Sequence, residues 1–345
     1  MLYHTADEPS DAELRADLVK MLQEAAPRER LEAEITAALD RDAPEQAEEY
    51  IEVADLIGAP IDPALRARWG EETSGWRAAA RTTRRAAKGF VTGEGEDPVG
   101  VAAALASDLT VVGDVRDLAG QASRMLKGEA VDELTLGLSL AGVAMTAGTV
   151  VTAGGALPAK AGISLAKLAR KTGKLTARFQ AELGRMVAKS VDLPAFRQAV
   201  RDIPWYRADE LAAAGRRHAA TVNTTEVGKV LSSVGAISRG TSPARALAVL
   251  RHIDDVKDVQ RAERAATLLG KPVSGALLLT GKKVLTTVAR RATMISVAMM
   301  GALFAAAFGV LSFLMGVGMA LFTVLRIRRM VRWVFRRTPP AQAGW

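Results

Sequence analysis

The chain has 345 residues and a net charge of +8, is 49% hydrophobic and contains no cysteine. The missing thiols exclude a disulfide framework, a thiolate metal site and a cysteine nucleophile, and they fit a reducing compartment. The mean charge hides an asymmetry: Met1 to Glu72 carries 19 acidic and 7 basic residues, whereas after Glu263 there are 12 Lys or Arg and no Asp or Glu. Such a split points to a nucleic acid or an anionic membrane as partner of the basic part, and the apolar runs inside that part favour the membrane.

The N-terminus, "MLYHTADEPSDAEL", lacks a basic n-region and an apolar h-region, so no cleavable secretory signal is expected. Leu14, Leu18, Met21 and Leu22, then Leu31, Ile35, Ala38 and Leu39, then Ile51, Ala54 and Ile57 recur at helical spacing. Residues 1–60 therefore read as an acidic module of two or three short amphipathic helices. Asp62-Pro63 supplies an N-cap with proline at the first helical position, and predicts a helix over 63–90 with basic later turns. Residues 61–130 combine that helix, a "TGEGED" loop, a second cap at Asp97-Pro98 and the segment "DLTVVGDVRDL". There Asp114, with Asp117 three positions on, has the spacing of a capping box, and Asp255 with Asp258 repeats it. The two copies suggest a weak internal repeat of about 140 residues.

Residues 134–159 are uncharged and rich in Gly, Ala, Ser and Thr. Two readings stay open for 131–160: a membrane helix that packs closely through small residues, or a buried helix or hairpin broken at Gly154-Gly155. Membrane contact is slightly favoured. Residues 161–290 read as a basic helical body punctuated by prolines. Its Trp205-Tyr206 pair fits either a membrane interface or ordinary core packing.

The segment Met294–Leu325 is 32 residues long without a charge. Its Phe and Met residues lie all around a helix, so no polar face is left for water, and 291–327 is predicted to span a membrane. Ser312, Gly316 and Ala320 form a small-residue face on which another helix can pack. Cationic flanks at both ends conflict with a single span under the positive-inside rule, and a re-entrant hairpin turning near Gly309 would relieve that conflict. Residues 328–345 continue as a basic tail. Arg326, Arg328, Arg329, Arg332, Trp333, Arg336 and Arg337 are the candidate membrane-surface residues, attracted to anionic headgroups.

No catalytic, cofactor-binding or metal constellation is visible. The three histidines, His4, His218 and His252, form no HExxH pair. "HIDDVKD" reads as a solvated charged face rather than a metal site. "GALLLTGKK" from Gly275 has the wrong spacing for a phosphate loop, and Lys283 stands where Ser or Thr must hold Mg²⁺. "GEGED" lacks the strand and helix of a dinucleotide fingerprint.

The block from "GFVTGEGEDPVG" through "DLTVVGDVRDL" and "LGLSLAGVAMTAGT" to Leu175, residues 89–175, resembles a group of uncharacterised bacterial helical membrane proteins that share this arrangement. "DLTVVGDVRDL" is also similar to segments that precede toxin modules in bacterial polymorphic toxins, although no toxin domain follows it. The expected protein is all-α, non-enzymatic and without cofactor, an integral protein of a bacterial inner membrane that anchors or organises partners. Its expected partners are a bilayer with anionic headgroups and a second copy or helical partner, but not nucleic acid. The alternative is a membrane-permeabilising effector that inserts 134–159 and 294–325.

Overall fold

A computed structural model describes residues 11–75, 111–149 and 157–335. The protein is all-α, with no strand among the described residues. Its helices are α1 Asp11–Ala25, α2 Arg28–Asp40, α3 Pro44–Ile57, α4 Pro63–Thr73, α5 Val111–Leu126, α6 Glu133–Thr149, α7 Leu157–Lys171, α8 Ala177–Ser190, α9 Leu193–Val200, α10 Ala208–Ala219, α11 Thr225–Gly240, α12 Pro243–Leu250, α13 Val256–Leu269, α14 Val273–Thr280 and α15 Lys283–Phe335. The "TGEGED" loop, the Asp97-Pro98 cap, the Gly154-Gly155 break and the last ten residues, Arg336 and Arg337 among them, lie outside the described residues.

Several helix starts follow from local chemistry. Asp62 accepts from the Ala64 amide at 2.8 Å ahead of Pro63, Asp192 does the same for Ala195 ahead of Pro194, and Ser242 for Arg245 ahead of Pro243. In each case the side chain satisfies an amide that has no partner within the helix. Of the helix expected over 63–90, the part described ends at Thr73, and 76–90 lie outside the described residues. Ser74 is extended after Thr73, and Gly75 sits at φ +60°, a left-handed geometry that suits glycine.

The described residues up to Ala289 form one compact body, and α15 from Arg290 onward belongs to a second unit. The body has two apolar cores. One collects α1 to α3 with α12 to α14 and the first turns of α15, including Leu18, Leu22, Ile35, Leu247, Leu277 and Leu285. The acidic helices expected as a separate module therefore share a core with the C-terminal part of the body. The other core joins α5, α6, α9 and α10 through residues such as Leu118, Leu138, Phe196 and Leu211.

α7 and α11 serve both cores. Leu165 and Ala169 of α7 and Val234 and Ile237 of α11 face the first, while Ile163 and Ala166 of α7 and Val227 and Leu231 of α11 face the second. The two helices touch backbone to backbone. A Cβ added at Gly162 would lie 1.8 Å from the Leu231 carbonyl oxygen, and one at Gly235 would lie 2.0 Å from the Pro158 carbonyl oxygen. Only glycine fits at either place.

The borderline segment falls on α6, and the membrane reading slightly favoured for it is corrected. Leu136, Leu138, Ser139, Leu140, Ala141 and Val143 are all buried inside the body, so the described part of the segment faces protein rather than lipid. Its small residues serve protein packing: Gly137 lies against Val187 of α8, and Gly142 against Asp114 of α5.

Gly162→Ala should destabilise the body by about 3 kcal/mol or more, the upper end of overpacking costs, because the new methyl meets a carbonyl rather than a movable side chain. Gly184→Ala in α8, where a Cβ meets nothing within 4 Å, should instead stabilise by roughly 0.5–1 kcal/mol. Chemical denaturation of both variants checks the pair, and a Gly162 variant as stable as the parent contradicts the tight crossing.

Candidate functional site

α15 is one continuous helix of 53 residues, so the hairpin turning near Gly309 is not formed. From Phe304 to Met330 it is long and apolar enough to cross a membrane, and none of its apolar window is buried. Fifteen large apolar side chains between these limits are exposed, Phe304, Phe308, Phe313, Met319 and Phe322 among the most open. Ser312, Gly316 and Ala320 share one exposed face at a four-residue repeat. Arg326, Arg328 and Arg329 are exposed at the end of the apolar stretch, and Arg332 and Trp333 lie in the last helical turns.

Trp205 and Tyr206 are exposed in the connection between α9 and α10, rather than packed into a core. Their rings meet edge to face at 5.7 Å, and the Lys127 ammonium sits 4.0 Å from the Trp205 ring centroid. This cation–π contact gives the aromatic patch a basic edge.

The paired aspartates behave differently from each other. Asp255 is the N-cap of α13: its Oδ1 accepts from the Asp258 amide at 2.7 Å, and Asp258 Oδ2 accepts from the Asp254 amide at 3.2 Å. Asp258 also holds Lys282 Nζ at 2.7 Å. Asp114 is no cap, which corrects the expected symmetry. It lies inside α5 and is fully buried, with Lys167 Nζ donating to its Oδ1 at 2.9 Å and lying 2.6 Å from Asp117 Oδ2. Asp117 is likewise an ion-pair partner within α5 and not the closing half of a capping box. Burial alone would lower the Lys167 pKa, but the Asp114 charge and the Asp117 hydrogen bond outweigh it and raise it. Lys160, one helical stretch earlier on α7, is pushed down by burial, against the pull of Asp114. The packing reason is Gly142: any Cβ there would lie 2.4 Å from Asp114 Oδ2.

A second buried charge group, missed in the sequence, joins α3, α12 and α14. Arg245 bonds Glu52 at 2.7 and 3.0 Å and reaches Glu48 at 3.6 Å. Beside them Glu49 Oε2 is buried. Desolvation raises the Glu49 pKa from 4.5 to about 7, against the opposing pull of Arg245 and a hydrogen bond from Ser274.

The remaining motifs carry no site. His252 is half-buried, and its pKa is lowered by burial and by the Arg251 and Lys282 charges. Among the described residues no cluster of His, Asp and Glu could hold a metal ion. The "GALLLTGKK" stretch is mostly α14, with Gly275 packed against the Glu49 carbonyl.

Two outcomes are expected. Asp114→Ala should cost up to about 3 kcal/mol, the lower end for breaking a buried pair, since it leaves the buried Lys167 ammonium with Asp117 alone, whereas Asp255→Ala should cost about 0.5–2 kcal/mol as a lost cap. Equal costs in denaturant melts would contradict the buried-pair assignment. For Glu49, the folded state binds the extra proton between pH 4.5 and about 7, so its contribution to stability falls as pH rises through that window. Glu49→Gln should therefore be more stable than the parent by about 2–3 kcal/mol at pH 8 and no more stable near pH 4.5. A pH-independent difference would refute the buried carboxyl.

No protein-family model, curated protein or solved structure matches the chain.

Proposed function

We propose that this chain is an integral membrane protein, held in a bacterial inner membrane by α15, whose helical body anchors or organises partners and catalyses no reaction. The observation that carries the reading is the 27-residue apolar stretch Phe304–Met330 with none of its surface buried. Burying a large apolar side chain is worth roughly 1.5–3 kcal/mol, so leaving fifteen of them in water forgoes more than about 20 kcal/mol. A partner helix covers one stripe of a helix, whereas hydrocarbon covers every face.

The dimensions agree. At 1.5 Å per residue the uncharged part of the stretch, residues 304–325, is about 33 Å long against about 30 Å of hydrocarbon, and the uncharged run continues back to Met294, which suits a tilted span or one that emerges on one side. Arg326, Arg328 and Arg329 follow at the end, where long cationic side chains reach the headgroups. Trp205 and Tyr206, exposed beside Lys127, add a second patch of interfacial chemistry. The permeabilising alternative would require α6 to leave a core in which its apolar residues are already covered, and nothing favours that step.

Deletion of Met294–Leu325 should move the protein from carbonate-washed membranes into the supernatant with its helical circular dichroism retained. A soluble-sized, unaggregated chain that stays in the pellet places the anchor elsewhere. Induced expression of the full chain should leave membrane potential unchanged, and its collapse would transfer the case to the permeabilising reading.

A further inference from the structure

Beside the buried Lys167 the body opens into a cleft of about 610 Å³ between α5, the start of α6 and α7. Five cationic side chains line it, Arg116 and Arg124 from α5 and Lys167, Arg170 and Lys171 from α7, against two carboxylates, Asp117 and Asp132. Arg116, Gly120 and Arg124 follow at four-residue spacing and so share one stripe of α5, as Lys167 and Lys171 share one of α7. Two basic stripes thus line the same cleft. Gly120 lies between the arginines, with nothing within 4 Å of where its Cβ would be.

Both carboxylates are already engaged. Asp117 Oδ2 is 2.6 Å from Lys167 Nζ, and Asp117 Oδ1 lies 3.6 Å from the Arg116 guanidinium. Asp132 accepts from the Thr135 amide and hydroxyl at 3.1 and 2.9 Å and lies 3.3 Å from Arg170 Nε. Gln121 Oε1 is taken by the Asp132 amide at 3.1 Å, which leaves the Gln121 amino group as a further donor. Arg124 and Lys171 are exposed and form no side-chain hydrogen bond or ion pair among the described residues. The surplus in the cleft is therefore positive and made of donors.

We propose that this cleft binds a phosphate-bearing anion, a phosphate ester or the headgroup of a phosphate monoester lipid, through Arg116, Arg124 and Lys171. Guanidinium forks match phosphate oxygens two at a time, and an ammonium adds a point charge. The volume is that of a small-molecule site rather than a nucleic-acid groove, and the lining offers no aromatic ring on which a base could stack. A bound dianion relieves the repulsion between the two basic stripes. The inference is independent of the membrane reading, because a soluble phosphate would bind whether or not α15 lies in lipid.

The test uses the full chain in non-ionic detergent micelles at low ionic strength, titrated calorimetrically with inorganic pyrophosphate and, separately, with dihexanoyl phosphatidic acid. The zwitterionic dihexanoyl phosphatidylcholine is the control. Saturable one-site binding of at least one anionic probe is expected, weakened about tenfold or more in the Arg124→Gln/Lys171→Gln variant, whose melting temperature should stay that of the parent because neither side chain holds the fold. Binding of pyrophosphate alone assigns a soluble phosphate ester, and binding of phosphatidic acid alone assigns a lipid headgroup. No saturable heat from either probe at about millimolar concentration, equal binding by the parent and the variant, or equal binding of phosphatidylcholine overturns the proposal.

Discussion

The body depends on one contact, the backbone crossing of α7 and α11. Gly162 admits the Leu231 carbonyl and Gly235 admits that of Pro158, so Pro158 lies opposite Gly235 and Gly162 opposite Leu231, and the helices pass in opposite directions without a side chain between them. Because both helices are thin at that point, each presents apolar residues to either side. Two cores can then share one pair of helices: α1 to α3 reach α12 to α14 on one side, and α5 and α6 reach α9 and α10 on the other. A wider crossing would leave the helices of one core without a floor, since interiors pack at crystal-like density and do not bridge gaps.

Two of the buried charge groups among the described residues lie one on each side of this contact. Asp114 and Lys167 tie α5 to α7 in the second core, and Arg245 with Glu52 ties α12 to α3 at the first. Neither pair is a large net source of stability, because desolvation offsets much of the Coulomb gain. Each sets register instead: an aspartate that must meet one lysine across the interface admits a single placement of α5. The Glu49 carboxyl, which burial drives toward the neutral form near neutral pH, shows the cost of crowding acids next to that arginine.

Most of the helices were legible in the sequence because their evidence is local. Leu14, Leu18 and Leu22 sit at helical spacing and are buried, and Asp62 and Asp255 cap the helices that follow them through their own carboxylates. What was not legible depended on residues far along the chain. Asp114 and Asp255 look alike over four positions. Lys167, 53 residues from Asp114, turns one of them into a buried ion pair. α6 was ambiguous for a physical reason: glycine and alanine let helices approach closely in lipid and in a protein core alike, and its neighbours, not its composition, place it in the core. The candidate anion cleft was hidden for the same reason, since its cations come in i, i+4 pairs from two helices that ordinary amphipathic patterning would also produce.

The charge asymmetry takes on a different meaning once the fold is known. All 38 acidic residues precede position 264, and 38 of the 46 Lys and Arg precede position 290. The acidic N-terminal helices find basic partners inside the body, as Arg245 does with Glu52 and Glu48 and Arg264 with Asp11. The first 289 residues are thus neutral as a set, and the whole net charge of +8 rests on eight arginines, Arg290 and Arg291 before the apolar stretch and six from Arg326 onward. An asymmetry that by itself suggests an external anionic partner for half the chain is largely settled within the molecule. The part left over flanks the apolar stretch of α15, whose surface is uncovered among the described residues. On the proposed membrane reading, attraction to anionic headgroups is therefore a property of the ends of α15, at about 1 kcal/mol for each charge near the surface, and apolar transfer of Phe304–Met330 outweighs it as the force that holds the chain in place.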